Sequence, residues 1–403
     1  MGEGSAPQAR GRRLVVCCDG TWNKPDRRGR MTNVVRLARA IRPQAADGRA
    51  QIVYYHPGVG TGNFLDRWVG GGLGVGLSEN VRSAYSFLVD NYQDGDELFL
   101  FGFSRGAYTA RSVGGLIAHV GLLRKRDMVN FDEVWDYYRQ PTSARDREEE
   151  TFLANFPDRV KREEIHIKCI GVWDTVGSLG IPNQRICRST YQFHDTNLGP
   201  GVEYAFQALA IDEQRAPFAP AIWHPNAAPR VKQVVEQVWF PGVHSNIGGG
   251  YPEHVLSDAA LFWMAARLGS LLDLDLDYVA AQADRTHRYA AGILVDSFSL
   301  WYRLFTGRYV RPLCVTDPAT EGIHESVWMR AFEANGPCVP SPYRDAAFKA
   351  FLEAHAARKV PLSDGEREIL RRCDTGARER ILPRRYRNRS ICDRLMAMLG
   401  GTP

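Results

Sequence analysis

The sequence contains no run of about 18 apolar residues, the least that spans a bilayer as a helix, so no helical membrane span is expected. Met1 to Arg13 are small, polar and basic, and no apolar segment of signal-peptide type precedes the first apolar run. The expectation is a protein made soluble in the cytoplasm, any export following a route without a cleavable signal. Eight cysteines stand at 17, 18, 169, 187, 314, 338, 373 and 392, with no C-x-x-C and no Cys/His spacing suited to structural zinc. That absence points to a reducing compartment, with Cys17, Cys18 and Cys169 filling core. The glycines at 58, 60, 62, 70, 71, 72, 74 and 76 match no G-x-G-x-x-G and lack a Gly-Lys-Ser/Thr ending. Dinucleotide and P-loop binding are therefore not expected, and the stretch reads as a mobile loop at a site's rim. Cys17-Cys18-Asp19-Gly20-Thr21 lacks the aspartate at 17 that aspartyl-phosphate chemistry needs. A metal shared by Asp19, Asp174 and His244 lacks local ligand spacing, so no metal or other cofactor is expected. The net charge is only +5, with no Lys/Arg stripe interleaved with aromatics, so no nucleic-acid partner is expected.

What is present is globular: 403 residues, 44% hydrophobic and 24% charged, enough for a large core. Short apolar runs alternate with helical spacing. Leu14 to Cys18 reads as a buried strand, Asn33 to Ile41 as a helix and Gln51 to Tyr55 as a second strand. A helix capped by Ser78 carries Val81, Tyr85, Leu88 and Tyr92 on one face. Leu98 to Phe101 is apolar throughout, as befits a strand covered on both faces. Ala107 to Ile117 reads as a helix, Ile165 to Val172 and Val231 to Trp239 as the fourth and fifth strands, and Leu256 to Leu272 as a long amphipathic helix. This alternation predicts an α/β fold, a mainly parallel sheet flanked by helices. The expected organisation is a flexible 1–12, a catalytic domain over 13–335, and a helical, loop-rich, Arg-rich appendage over 336–403. An insertion around 125–164 reads as a surface excursion, charged over 141–164. The last 130 residues show no clear strand periodicity.

Gly102-Phe103-Ser104-Arg105-Gly106 fits G-x-S-x-G between the expected strand and helix. Ser104 is then a candidate nucleophile on a tight turn. Gly102 and Gly106 would be glycine because a side chain at either would collide with the turn or its neighbours. The Arg105 N–H stands at a helix N-terminus, where it can stabilise an oxyanion. A serine hydroxyl needs a base, and the base an orienting acid. Asp174, ending the apolar run Ile167 to Trp173, is the candidate acid. His244 follows a strand in a glycine-dense loop and is the candidate base, with His324 as runner-up and His254 a weaker third. Asp19-Gly20-Thr21 follows the first strand, so backbone at Gly20 or Thr21 is the candidate second oxyanion donor, with Asp19 holding the loop. Each of these also has a plain structural reading, as helix cap, turn aspartate or backbone-bonded histidine. At the C-terminus, 371–389 carries eight arginines, followed by Ile391, Leu395 and Leu399 four apart. That face suits either its own domain or peripheral contact with an anionic membrane.

Taken together, Leu14-Val15-Val16 with Asp19-Gly20-Thr21-Trp22-Asn23, Gly58-Val59-Gly60-Thr61-Gly62, Phe101 to Arg111, Gly171 to Gly177, Ala208 to Glu213 and Phe240 to Ser245 resemble one family. It is the α/β-hydrolase domain of the type VI secretion lipase effectors, first family, with its uncharacterised relatives, and the resemblance covers roughly 13–335. It implies a phospholipase-type esterase with a Ser104, Asp174, His244 triad, a lipid ester substrate, and secretion machinery or an immunity protein as partner. Position 246 is Asn where the resemblance leads one to expect Asp. The chemistry also admits a small soluble ester or thioester as substrate. A different class of reading is a catalytically silent scaffold that binds a partner through the same pocket.

Overall fold

Leu98 to Phe103 carries no polar side chain, and such a segment can only be satisfied with both faces covered. In the computed structural model it forms β3 (Glu97–Phe103), buried along nearly its whole length inside an eight-stranded sheet. The structure describes residues 11–20, 30–58, 73–176, 197–283, 289, 292–298, 308–333 and 341–374. The other strands are β1 (Arg13–Cys18), β2 (Gln51–His56), β4 (His166–Trp173), β5 (Val202–Ala210), β6 (Val234–Phe240), β7 (Glu321–His324) and β8 (Lys359–Val360). Their order is β2-β1-β3-β4-β5-β6-β7-β8, and every pair is parallel.

Parallel neighbours need crossovers, and these place helices on both faces. One face packs α1 (Asn33–Ala40) and α7 (Val255–Leu268) against Val15, Phe99, Phe101 and Phe240. The other packs α2 (Leu73–Asn91), α3 (Arg105–Val120) and α4 (Phe131–Tyr138) against Leu14, Val16, Leu98 and Leu100. Side chains alternate in direction along each strand, so β1 and β3 feed both cores at once. Between these lie α5 (Thr142–Leu153) and α6 (His244–Gly248); later come α8 (Leu276–Ala281), α9 (Ala346–Ala354) and α10 (Asp364–Asp374). Cys17, Cys18 and Cys169 are buried core, as expected. Among the described residues no helix is long and apolar enough to cross a membrane.

Four readings need correction. The fifth strand is β5, not the 231–239 run, which becomes the sixth. Glu203 disguises β5, and it is satisfied by β4, where Lys168 Nζ lies 2.7 Å and His166 Nε2 2.8 Å from it. The helix α7 is not amphipathic. Every residue from Val255 to Ala265 is buried, because α10 covers its outer side with Ile369 and the close approach of Gly365 to Ala266. The C-terminal part, expected to lack strands, adds β7 and β8, which at four and two residues are too short to show a period. Finally, α2 starts at Leu73, so Gly74 and Gly76 are helical and Ser78 does not cap it. The rest of that glycine-rich stretch, 59–72, lies outside the described residues, as does the Arg-rich 375–403 with Ile391, Leu395 and Leu399.

Candidate active site

The turn from β3 into α3 holds Ser104 at φ 59° and ψ −122°, a left-handed conformation that a non-glycine residue adopts only at a cost of roughly 1–3 kcal/mol. The glycines on either side explain how so sharp a turn closes. A Cβ on Gly102 would fall 2.3 Å from the Gly106 carbonyl oxygen, and one on Gly106 would fall 2.1 Å from that of Cys18. The Ser104 N–H donates to the Trp173 carbonyl at 3.1 Å, which ties the turn to the end of β4.

Asp174 is the next residue after Trp173. It too has positive φ, 41°, and it is fully buried. Its N–H donates to the Ala208 carbonyl at 2.8 Å, and its Oδ1 accepts the Ala210 N–H at 3.0 Å, so β5 fixes its carboxylate. Its Oδ2 lies 2.6 Å from His244 Nδ1. His244 opens α6 after β6, and its ring packs 4.7 Å from that of Phe103 and edge-on 5.0 Å from that of Phe218. Glu213, itself buried and paired with Arg215, accepts the His244 N–H at 3.2 Å. The structure therefore joins Asp174 directly to His244 and brings both beside the Ser104 turn, through Trp173 and Phe103. With Nδ1 bound to the acid, Nε2 is the ring nitrogen left for acid–base work.

Arg311 was not anticipated. Its Nη1 donates to Asp174 Oδ1 at 2.6 Å and to the Ala210 carbonyl at 2.8 Å; its Nη2 donates to Asp174 Oδ2 at 3.0 Å and to the Phe218 carbonyl at 2.6 Å. Neither side chain of the pair is exposed. Burial alone would raise the Asp174 carboxyl. The Arg311 charge and the His244 hydrogen bond outweigh it and hold the acid well below the usual carboxylate range. The one signal in the sequence was a lone arginine in Tyr309-Val310-Arg311-Pro312-Leu313, which names no partner.

The expected oxyanion donors fare unequally. Arg105 begins α3, in the first turn whose N–H groups have no acceptor within the helix. The Gly20 N–H, by contrast, is committed to Asp19 Oδ1 at 2.6 Å, which corrects its assignment as a donor. Thr21 lies outside the described residues. Asp19 Oδ2 accepts hydrogen bonds from the hydroxyls of Thr32 and Tyr55, each at 2.7 Å. The other two histidines are elsewhere. His324 is bonded to Ser326 and Glu366 in the interior, and His254 pairs with Asp258 at 3.0 Å.

The family model described as "T6SS, Phospholipase effector Tle1-like, catalytic domain" matches residues 12–267. An uncharacterized protein of Saccharomyces cerevisiae is 30% identical over 235 residues, which are 53% of this chain and 33% of that protein. The chain thus spans about a third of that relative's length. The Tle1 effector bound to the VgrG spike of the type 6 secretion system is similar at 20% identity, over 61% of this chain and 52% of that one, with a TM-score of 0.34. An uncharacterized protein from Pseudomonas aeruginosa is similar at 17% identity, over 98% of this chain and 63% of that one, with a TM-score of 0.37.

Proposed function

The chain belongs to the Tle1-like phospholipase-effector family of type VI secretion, and on that premise we propose that it is a serine esterase that cleaves acyl esters of phospholipids. The observation that carries this reading is the buried 2.6 Å contact between Asp174 and His244 beside a serine held at positive φ.

Ser104 Oγ attacks the acyl carbon while His244 Nε2 takes its proton. The resulting oxyanion is held by the Arg105 N–H and a second donor outside the Gly20 position. The intermediate collapses as His244 returns the proton to the leaving alcohol. Water, deprotonated by the same nitrogen, then releases the acid and restores Ser104. Asp174 orients the ring and stabilises the imidazolium, and Arg311 keeps Asp174 ionised and fixed. Family membership extends the proposal to export by a signal-peptide-independent type VI route, with secretion machinery and an immunity protein as partners.

A fluorophosphonate probe tests the reading, applied to wild type, Ser104→Ala and His244→Ala, with the adduct mapped by mass spectrometry. Labelling at Ser104 that falls in both variants is expected. An unlabelled wild type, or an adduct elsewhere, overturns it and leaves the silent partner-binding scaffold as the better account. Chain-length profiles on soluble esters against phospholipid vesicles separate the two substrate classes.

A further inference from the structure

Alongside α3 lies a cavity of about 220 Å³, several times the room one water needs. Its walls come from α3 through Tyr108 and Arg111, from α5 through Arg145, from the end of β4 through Thr175 and from the 197–226 segment through Trp223. Two arginines and His119 line it, and among the described residues no carboxylate does.

Arg145 is the telling residue. It is only 4% exposed, its Nη1 donates to the Tyr138 carbonyl at 2.9 Å, and its guanidinium sits 5.8 Å from the Tyr138 ring. Its Nε has no hydrogen-bond partner, and no carboxylate pairs with it among the described residues. Thr175, fully buried on the same cavity, also has a hydroxyl without a partner. Arg111 leans over the Trp223 ring at 4.4 Å and donates to the Ala221 carbonyl at 2.6 Å. A buried cation without a counter-ion is unfavourable, and so is a buried hydroxyl without a partner. One group that accepts several hydrogen bonds and carries negative charge satisfies both.

We propose that this cavity is an oxyanion site of the phosphate class, with Arg145 as its main donor and Arg111 and Thr175 completing it. The planar guanidinium fork matches phosphate oxygens. The oxyanion is either free phosphate or the phosphoester of a lipid headgroup. Tyr108 and Arg111 stand about 6 and 10 Å along the helix axis from Ser104, at about 1.5 Å per residue. Arg145 lies further along, beside Tyr138, whose hydroxyl packs on Gly115 of the same helix about 16 Å along the axis from Ser104. Only the lipid source rests on the esterase reading.

Two experiments on the full chain decide the matter. In the first, thermal unfolding of wild type, Arg145→Lys and Arg145→Gln is followed in inorganic phosphate and in chloride of equal ionic strength. Phosphate at about 100 times its dissociation constant should raise the wild-type midpoint by about 5 °C, Arg145→Lys by less and Arg145→Gln not at all. A wild type that ignores phosphate, or an Arg145→Gln that responds as wild type does, overturns the site. Should Arg145→Gln fail to fold, Thr175→Val serves instead, with phosphate affinity expected to fall several-fold. The second experiment compares a short-chain glycerophospholipid with a neutral glycerol ester of the same acyl chain. If the headgroup is the occupant, Arg145→Lys raises KM about tenfold on the phospholipid alone, and inorganic phosphate competes with that substrate. If free phosphate is the occupant, both esters respond alike to the variant. Hydrolysis of neither ester, with the unfolding result intact, removes the esterase reading and keeps the site.

Discussion

Two sets of serine, histidine and carboxylate among the described residues differ in ways their composition does not reveal. In one, His244 meets Asp174 at 2.6 Å beside Ser104; in the other, His324 lies 2.8 Å from Ser326 and 2.8 Å from Glu366. In the second set all three residues are fully buried, whereas Ser104 is partly open to solvent. The ring nitrogens are also used in the opposite sense. Asp174 binds Nδ1 of His244. Ser326 occupies Nδ1 of His324, and its backbone N–H points at the same nitrogen from 3.3 Å, so Nε2 is the donor to Glu366. Ser104 and Asp174 sit at positive φ, whereas His324 caps its short helix at an ordinary φ of −68°. Strain, access and ring orientation thus separate the two sets, the second being a buried network that joins β7 to α10.

Removing each serine should break the comparison most visibly. Ser104→Ala is expected to lower ester turnover by about 10⁴-fold or more. Ser326→Ala should leave turnover within about twofold and cost about 1 kcal/mol of stability through one lost hydrogen bond. Turnover on short-chain esters and denaturant unfolding read out both, and equal losses of activity would sink the distinction.

The two histidine partners come next. Arg311→Met leaves the Asp174 carboxylate buried without its cation, which should cost about 3–5 kcal/mol and take activity with it. A cost below about 1 kcal/mol in urea unfolding would mean that Ala210 and His244 hold the acid unaided. Glu366→Gln should cost about 1–2 kcal/mol at neutral pH and spare turnover below the melting range. Burial would raise the Glu366 carboxyl, but the hydrogen bonds from His324 and Ser363 lower it. A carboxyl depressed by folding adds stability above its unfolded value, about 4.3, and loses it as pH falls through the folded one. The stability gap between wild type and Glu366→Gln should therefore be full at pH 6–7 and shrink below about pH 4. A gap that widens in acid contradicts the assignment.

The sequence singled out Ser104, Asp174 and His244 because each follows an apolar run and G-x-S-x-G demands a specific turn, and the structure gives that turn its positive φ and joins the last two residues. Of the second set only His324 was weighed in the sequence, as runner-up for the base, and β7, which it ends, is too short to show a period. What separates them is long-range. Glu366 is 42 residues from His324 and Arg311 is 137 from Asp174, and no local period encodes either contact. The same blindness hid β5, whose Glu203 reads as surface until Lys168 and His166 are beside it. The committed N–H of Gly20 was equally invisible, because only the folded loop turns the Asp19 carboxylate back on its neighbour.

The smallest expected effect concerns the residue where this chain departs from the family resemblance. Asn246 is buried in the first turn of α6. Its Oδ1 accepts the Val243 N–H at 3.2 Å, and its Nδ2 donates to the Ile293 carbonyl at 3.2 Å. Aspartate can make the first bond and gains from the helix N-terminus. It cannot make the second, and it would set a carboxylate oxygen against a carbonyl. Asn246→Asp should therefore cost about 1 kcal/mol, with turnover within about threefold of wild type, because no contact of the His244 ring is touched. The loss should be local. Ile293 belongs to the 292–298 segment, whose Ser297 hydroxyl also reaches Glu213 at 3.3 Å, and amide exchange there should rise before exchange in β6 does. Unchanged exchange at 292–298 would mean that the Asn246 amide does not anchor that segment to the histidine loop.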